Sequence, residues 1–360
     1  MRMTEDPSTH DVDHDNTVPA YEQLALFSSF ISEKSSDSVT LDHYDAFASF
    51  PMQKHRESEK FESFIRTISI GGKSYSVRIT QASIDKTSTK TVGVFPGPRD
   101  EIVERTLRYM AVQESLETRL VEDNTRQTHM SIIFSLSSLR KTLKKLGHDF
   151  SLPQIRESLT ILHGSFLSVT AEDDDSFKGV SSPIFSNLTF DYKKSDKEGS
   201  RSFVALCFHP LAKRSIETMA YSPVNFPRLM SLQSPLARWL AARMSNRFRG
   251  VSRSELIELK GYHISLDTIA NESGVSPEKL MKNRLATVRR ALQELSKTYL
   301  NPTEPYTEQL KHGPSKRGKP PVIGAVWNLN PNAKFIKEII DGNAEMKARR
   351  ERFGIQKAKI

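Results

Sequence analysis

Residues 265–297 read SLDTIANESGVSPEKLMKNRLATVRRALQELSK, and this stretch decides the fold. It opens as a short amphipathic helix in which Ile269 and Ala270 face inward, the small Ala letting a second helix pack close. Gly274 is placed to take the positive φ that ends that helix, and Val275 enters the core. Ser276 has the chemistry of an N-cap, and Pro277 suits a first helical position, where a missing N–H costs nothing. Met281, Leu285, Val288, Leu292 and Leu295 then recur at intervals of four, three, four and three, which draws one apolar stripe. At about 100° per residue, Lys279, Lys282, Asn283, Ala286, Arg290 and Gln293 fall opposite it with no carboxylate among them. Arg and Lys reach phosphates and guanine edges, Asn and Gln bridge adenine, and Ala admits a thymine methyl. A solvated basic helix would show the same face; the turn grammar before it favours a helix-turn-helix that reads DNA.

Charge points the same way. Of the formal net charge of +9, residues 209–360 hold 27 Lys and Arg against 13 Asp and Glu, and residues 1–208 hold 25 against 30. A C-terminal half this basic suits a polyanion and makes binding salt-dependent through counterion release. Membrane attachment is the competing use of a basic patch, but no apolar run is long enough to span a bilayer, and no signal peptide or lipidation motif is evident. The 360 residues suggest about two domains. One cysteine, Cys207, sits in the apolar run at 203–208, where a buried strand residue is expected; with no disulfide within the chain, the cytoplasm is the natural compartment.

The same grammar occurs upstream. Residues 134–163, FSLSSLRKTLKKLGHDFSLPQIRESLTILH, place Leu136, Leu139, Leu143 and Leu146 on one stripe and Gly147 at its end. Ser151 and Gln154 have capping-box spacing, and Ile155, Leu159 and Leu162 form the next inner face. Strands are expected over 166–170, 184–191 and 203–208, with a hairpin tip at 193–201. After the second copy, a strand is expected from Tyr299 and Leu300 and another over 322–329, with the basic loop KHGPSKRGK at 311–319 between them. First helices are expected over 98–120 and 234–248. The plan is α+β: two tandem winged-helix domains with flexible termini. The expected divisions are an irregular acidic region at 1–60, with a candidate short helix over 21–31, a first winged-helix domain at 61–210, a second at 211–335 and a basic tail at 336–360, whose last residues, MKARRERFGIQKAKI, suit a basic helix or tail.

Candidate DNA contacts in the second domain are the helix residues above and the wing residues Lys311, Lys316, Arg317 and Lys319. The first domain's corresponding face, Gln154, Arg156, Glu157 and Thr160, is weakly charged; Arg140, Lys141, Lys144 and Lys145 suit either phosphate contact or solvent, and self-association is the other use of this domain. Gly313, Gly318 and Lys319 match a phosphate-loop spacing, but Pro320 stands where the magnesium hydroxyl is needed and a strand is expected next. His10 and His14 among Asp11, Asp13 and Asp15 lack a scaffold for a metal, and His129, His148, His163 and His209 each stand alone. No catalytic residue, metal or cofactor is expected.

Four stretches resemble RepA-like plasmid replication initiators, the tandem winged-helix class that binds repeated origin sites called iterons. They are FPGPRDEIVERTLRYMAVQ at 95–113, residues 134–162, CFHPLAKRSI at 207–216 and LMSLQSPLARWLAARMSNRF at 229–248. The resemblance spans about residues 95–330 and leaves the N-terminal 90 outside. It implies binding of double-stranded origin DNA, recruitment of the host replication initiator and replicative helicase, no catalytic centre, and a monomer–dimer equilibrium whose homodimers repress the initiator's own gene. It also implies that the main base-reading helix is at 277–297, with Lys279, Lys282, Asn283, Arg289 and Arg290 in contact. A winged-helix transcriptional repressor, and a nicking or nucleotide-dependent replication enzyme, are the alternatives.

Overall fold

The computed structural model describes residues 37–41, 44–45, 50–52, 57–70, 73–113, 117–122, 128–172, 179–192, 203–212, 221–248, 261–275, 280–314 and 320–352. The tail at 1–20, the helix at 21–31, the hairpin tip at 193–201, and Ser276, Pro277, Lys279, Lys316, Arg317 and Lys319 lie outside the described residues.

The first half begins with β1 (Asp37–Leu41) and β2 (Glu57–Ser58), followed by β3 (Ser63–Ile70), β4 (Lys73–Thr80), β5 (Ala82–Thr87) and β6 (Lys90–Val94). Helix α1 (Pro98–Gln113) is shorter than the span 98–120 expected of it, because residues beyond it form β7 (Glu117–Glu122). There Thr118 and Val121, β-branched residues that favour a pleated surface, pair with Ile132 and His129 of β8 (Thr128–Ser135). Ser135 caps α2 (Leu136–Lys145) by accepting a hydrogen bond from the Ser138 amide. Gly147 then takes a φ of 90°, the left-handed turn expected after this helix. The capping box also forms: the Ser151 hydroxyl accepts from the Gln154 amide and the Gln154 side chain from the Ser151 amide, opening α3 (Leu152–Gly164).

Strands β9 (Phe166–Ala171), β10 (Val180–Pro183), β11 (Phe185–Tyr192) and β12 (Phe203–Phe208) complete this half. β11, β12, β8 and β7 make one sheet in that order, but β9 leaves it and runs between β10 and β4 in a second sheet that ends at β3. The strand expected at 166–170 therefore exists but is not part of the wing. β2, β6 and β5 form a third sheet.

In the second half, β13 (Tyr221–Asn225) and α4 (Phe226–Met230) lead to α5 (Pro235–Arg247), capped by Ser234. β14 (Tyr262–Ser265), α6 (Leu266–Glu272), α7 (Met281–Ser296), β15 (Tyr306–His312) and β16 (Val322–Leu329) follow. Ser265 caps α6 through the Thr268 amide as Ser135 caps α2, and Gly274 takes a φ of 79°. The sheet order β14-β16-β15 matches β8-β12-β11: in each half the strand before the first turn helix pairs with the last strand of the wing. Both halves are thus winged helices, and the fold is α+β.

Two observations concern the ends of the second half. Leu300 makes only an isolated bridge to Pro331, and the strand expected from Tyr299 begins at Tyr306, since Pro302 and Pro305 remove two amide donors. Of the two readings of the basic C-terminal segment, the helix is the one seen: α8 (Ala333–Arg352) is docked by the buried Phe335 and Ile339.

Each half has its own apolar core. Leu107, Ile132, Leu139, Ile155 and Leu159 are fully buried in the first; Leu240, Ile269, Val288, Leu292 and Trp327 are buried in the second. Residues between 37 and 60, expected to be irregular, join the halves: β1 pairs antiparallel with β13, Tyr44 and Phe50 enter the first core, and the Met52 amide donates to the Gly274 carbonyl at 2.7 Å. Beside this strap lies a buried ionic chain. Arg238 of α5 donates to Glu101 of α1 at 3.0 Å and to the carbonyls of Leu232 and Gln233 at 2.8 and 3.1 Å. Glu101 also holds Arg105 at 2.9 Å; Arg105 reaches Asp45 at 3.2 Å, and Asp45 holds Arg108 at 2.9 Å. Burial alone pushes Glu101 up, but Arg238 and Arg105 together hold it below the usual carboxylate range. The buried Arg66 of β3 donates to the Glu272 carbonyl at 2.8 Å, at the end of α6.

Candidate nucleic-acid interface

α7 begins at Met281, not at Pro277: Leu280 is extended, with φ −94° and ψ 127°, and no side chain caps the helix. Leu285, Val288, Leu292 and Leu295 are buried as expected, with Ala291 beside them and Met281 half-buried. Opposite them Lys282, Asn283, Ala286, Arg289, Arg290 and Gln293 are all exposed. Lys297, exposed four residues beyond Gln293, extends this face by one turn; the same spacing in the sequence could have found it.

The single carboxylate of α7 is turned inward. Glu294 accepts from the Gln233 amide and, at 3.0 Å, from the Ser234 amide, so its charge sits at the N-terminus of α5, where unpaired N–H groups favour an anion. The outer face keeps its cations without a compensating acid from its own helix.

Arg289 has a partner within the protein. Its guanidinium forks onto Glu308 of β15, at 3.0 Å from Nε and 2.6 Å from Nη2, and the buried Trp327 indole donates to the same carboxylate at 2.9 Å. The bond from Arg289 is the main cause that lowers the Glu308 carboxyl, with Trp327 adding to it. Arg289 thus ties α7 to the wing, with its side chain still 46% exposed. Its neighbour Arg290 makes only long bonds within its own helix, 3.3 Å to the Ala286 carbonyl and 3.4 Å to the Thr287 hydroxyl, which an incoming acceptor can replace.

In the wing, Lys311 and His312 belong to β15 rather than to a loop, and both are exposed. The chain after Pro320 is strand β16, so the phosphate-loop spacing has no helix behind it.

The first unit presents a different surface. Arg156 lies over the Phe190 ring of β11, 4.7 Å from its centroid, and Glu157 is held by Arg99 at 2.6 Å and approached by Lys86 at 3.7 Å. β5 covers one side of α3: Ile161 is buried with Ala82, Val92 and Val94, and a Cβ on Gly164 would stand 2.9 Å from that of Ala82. Gln154 and Thr160 remain exposed. On α2, Arg140 and Lys144 share Asp149 at 3.6 and 3.8 Å, and all three side chains are largely in solvent. Such pairs contribute little and leave both cations available to phosphate.

Among the described residues, no cluster of three or more His, Cys, Asp or Glu is arranged to hold a metal ion, and no helix is long and apolar enough to cross a membrane. His10 and His14 lie outside those residues. His209 is structural. Its Nδ1 accepts from the Leu211 amide at 3.1 Å, so Nε2 carries the proton and donates to the Leu167 carbonyl at 3.2 Å.

The fold and this face define a tandem winged-helix protein in which α7 presents a strongly basic outer face. No protein-family model matches the chain, and no curated protein matches it. Among solved structures, the chain is similar to a selenomethionine derivative of domains 2 and 3 of RctB, with a TM-score of 0.48 and 13% identity over 81% of this chain and 98% of that one. A second structure of RctB domains 2–3 matches at 0.42 and 11% identity over 81% and 98%. The Pi initiator protein in complex with iteron DNA matches at 0.37 and 14% identity over 64% and 91%.

Proposed function

We propose that this protein is a plasmid replication initiator, acting in the bacterial cytoplasm, that binds double-stranded iteron DNA at an origin. The observation that carries DNA binding is the α7 face: Lys282, Asn283, Ala286, Arg290, Gln293 and Lys297 are exposed together, while Glu294 is turned inward. The replication role is supported by the resemblance of residues 95–113, 134–162, 207–216 and 229–248 to iteron-binding initiators. The α7 face enters the major groove, where Asn and Gln can bridge adenine and Arg can pair with guanine. Lys311 lies along the backbone, while α2 of the first unit adds phosphate contacts through Arg140 and Lys144. Cooperative loading on repeats bends the duplex and opens an adjacent A·T-rich segment, whose flexible steps make deformation cheap. Recruitment of the host replication initiator and replicative helicase follows, and a homodimer represses the protein's own gene.

The work is done by binding, without a catalytic centre or cofactor. A plasmid carrying the DNA that flanks this gene, with the protein supplied in trans, is expected to replicate in a host that cannot otherwise maintain it. Binding and repression without maintenance would make the protein a transcriptional repressor. Incubation with supercoiled origin DNA, magnesium and ATP is expected to give neither nicks nor phosphate release; either product would make it an enzyme.

A further inference from the structure

The arms of the second wing expose two large apolar side chains where a DNA-facing hairpin needs only charge. Leu310 and Ile323 are 37% and 57% exposed, and Pro314, Pro320 and Pro321 are exposed around them. Leu310 follows Tyr306 and Glu308 at the two-residue interval of β15, so it continues the side that Arg289 ties to the reading helix, past the end of the core. The register fixes Ile323 differently. Lys311 pairs with Gly324 and His312 with Val322, which leaves Ile323 as the extra residue of a bulge, a device that re-aims a side chain. Ile323 lies against Gly313, where a Cβ would come within 2.9 Å of its Cγ2. Neither Leu310 nor Ile323 belongs to the core of this half, so folding does not account for them.

Cations alternate with this apolar pair. Lys311 and His312 are exposed beside it, and the intervening sequence supplies Lys316, Arg317 and Lys319. An apolar pair with exposed Lys311 and His312 beside it matches the minor groove, whose phosphate walls are anionic and whose floor exposes base steps that Leu, Ile and Pro can part. A second copy of this chain would have to accept the same cations against its own basic half.

We propose that Leu310 and Ile323 form a wedge that enters the minor groove beside the α7 contact and unstacks a base step. This rests on the DNA-binding reading above and adds the element that turns binding into local distortion. Insertion requires a step that unstacks cheaply, so pyrimidine–purine steps, TA above all, are favoured at that position.

The test uses the full chain and a duplex that it enriches from a random-sequence pool, with 2-aminopurine placed at successive steps. Wild type is expected to raise the fluorescence at one step about threefold or more, the signature of lost stacking. The Leu310→Ser/Ile323→Ser double variant is expected to leave that step at the free-duplex level and to bind about tenfold more weakly, with an unchanged dependence on salt. Leu310→Met/Ile323→Met, which keeps an apolar pair, should retain the signal, and matched thermal melts of all three proteins exclude misfolding. Enrichment of a duplex with no fluorescent step, or with equal signal from the Ser variant, would overturn the wedge and leave DNA binding standing. Loss of self-association in the Ser variant, with unstacking intact, would assign the pair to a second copy of the chain. Failure of the wild type to enrich any duplex would overturn the DNA-binding reading and the wedge with it.

Discussion

Arg289 and Arg290 are adjacent, identical in chemistry and opposite in use. Arg290→Ala is expected to cost about 1 to 3 kcal/mol of binding if it pairs with a base edge, and to relax specificity at one position; a footprint titration on variant sites measures both. Arg289→Ala removes a bidentate strut, so its effect is expected on wing placement. Loss of affinity in that variant should accompany altered protease sensitivity of the wing in the free protein, which Arg290→Ala does not share. The spacing placed Arg290 on the outer face, and only the family resemblance added Arg289; nothing local could reveal Glu308, a carboxylate 19 residues away that arrives only once β15 lies beside the helix. At His209, burial lowers the pKa to about 4 from 6.5, against a smaller raising effect of the Leu167 carbonyl. Above pH 6.5 both folded and unfolded forms are neutral there, and His209 adds no pH dependence. Below it the unfolded chain takes up a proton that the folded one refuses until about pH 4, so stability is lost across that window, by about 3 kcal/mol in all. Urea unfolding from pH 7 to 4 should show this slope in the wild type and a shallower one in His209→Asn.

At the scale of elements, what was legible was local. The positive φ of Gly147 and Gly274, the Ser151–Gln154 capping box and the leucine stripes depend on residues within a turn or two of each other, and sequence spacing records such relations directly. Ser151→Ala should lower stability by about 1 kcal/mol, read as a shift in urea midpoint without a change in slope. The start of α7 was misplaced because Ser276 and Pro277 supply helix-start chemistry four residues ahead of the observed first turn; Leu280 is extended there. The second sheet was hidden for another reason, since β4 pairs with β9 some 90 residues on; the third, β2, β6 and β5, pairs within residues 57–94 and was simply not read. Their consequence falls on α3, whose flank is covered by β5, so two helices with the same grammar are left with unequal access to solvent.

Across the whole molecule, the buried ionic chain from Arg238 through Glu101 and Arg105 to Asp45 joins three segments that are remote in sequence. Replacing one member strands the others without water, so Glu101→Leu is expected to destabilise by about 3 to 5 kcal/mol, whereas an exposed pair such as Arg140 with Asp149 contributes at most about 1; chemical denaturation of both variants makes the comparison. None of this chain was foreseen, since each member alone is an ordinary helical charge. The Met52 and Arg66 bonds to Gly274 and Glu272 have a further consequence. The end of α6 and its turn are held by the opposite half, so, on the proposed reading, the orientation of one DNA contact is tied to that of the other. Such a protein is a caliper with a fixed jaw: moving its two contact patches apart by half a helical turn of DNA should leave one jaw closing on empty solvent, while protection by the other persists.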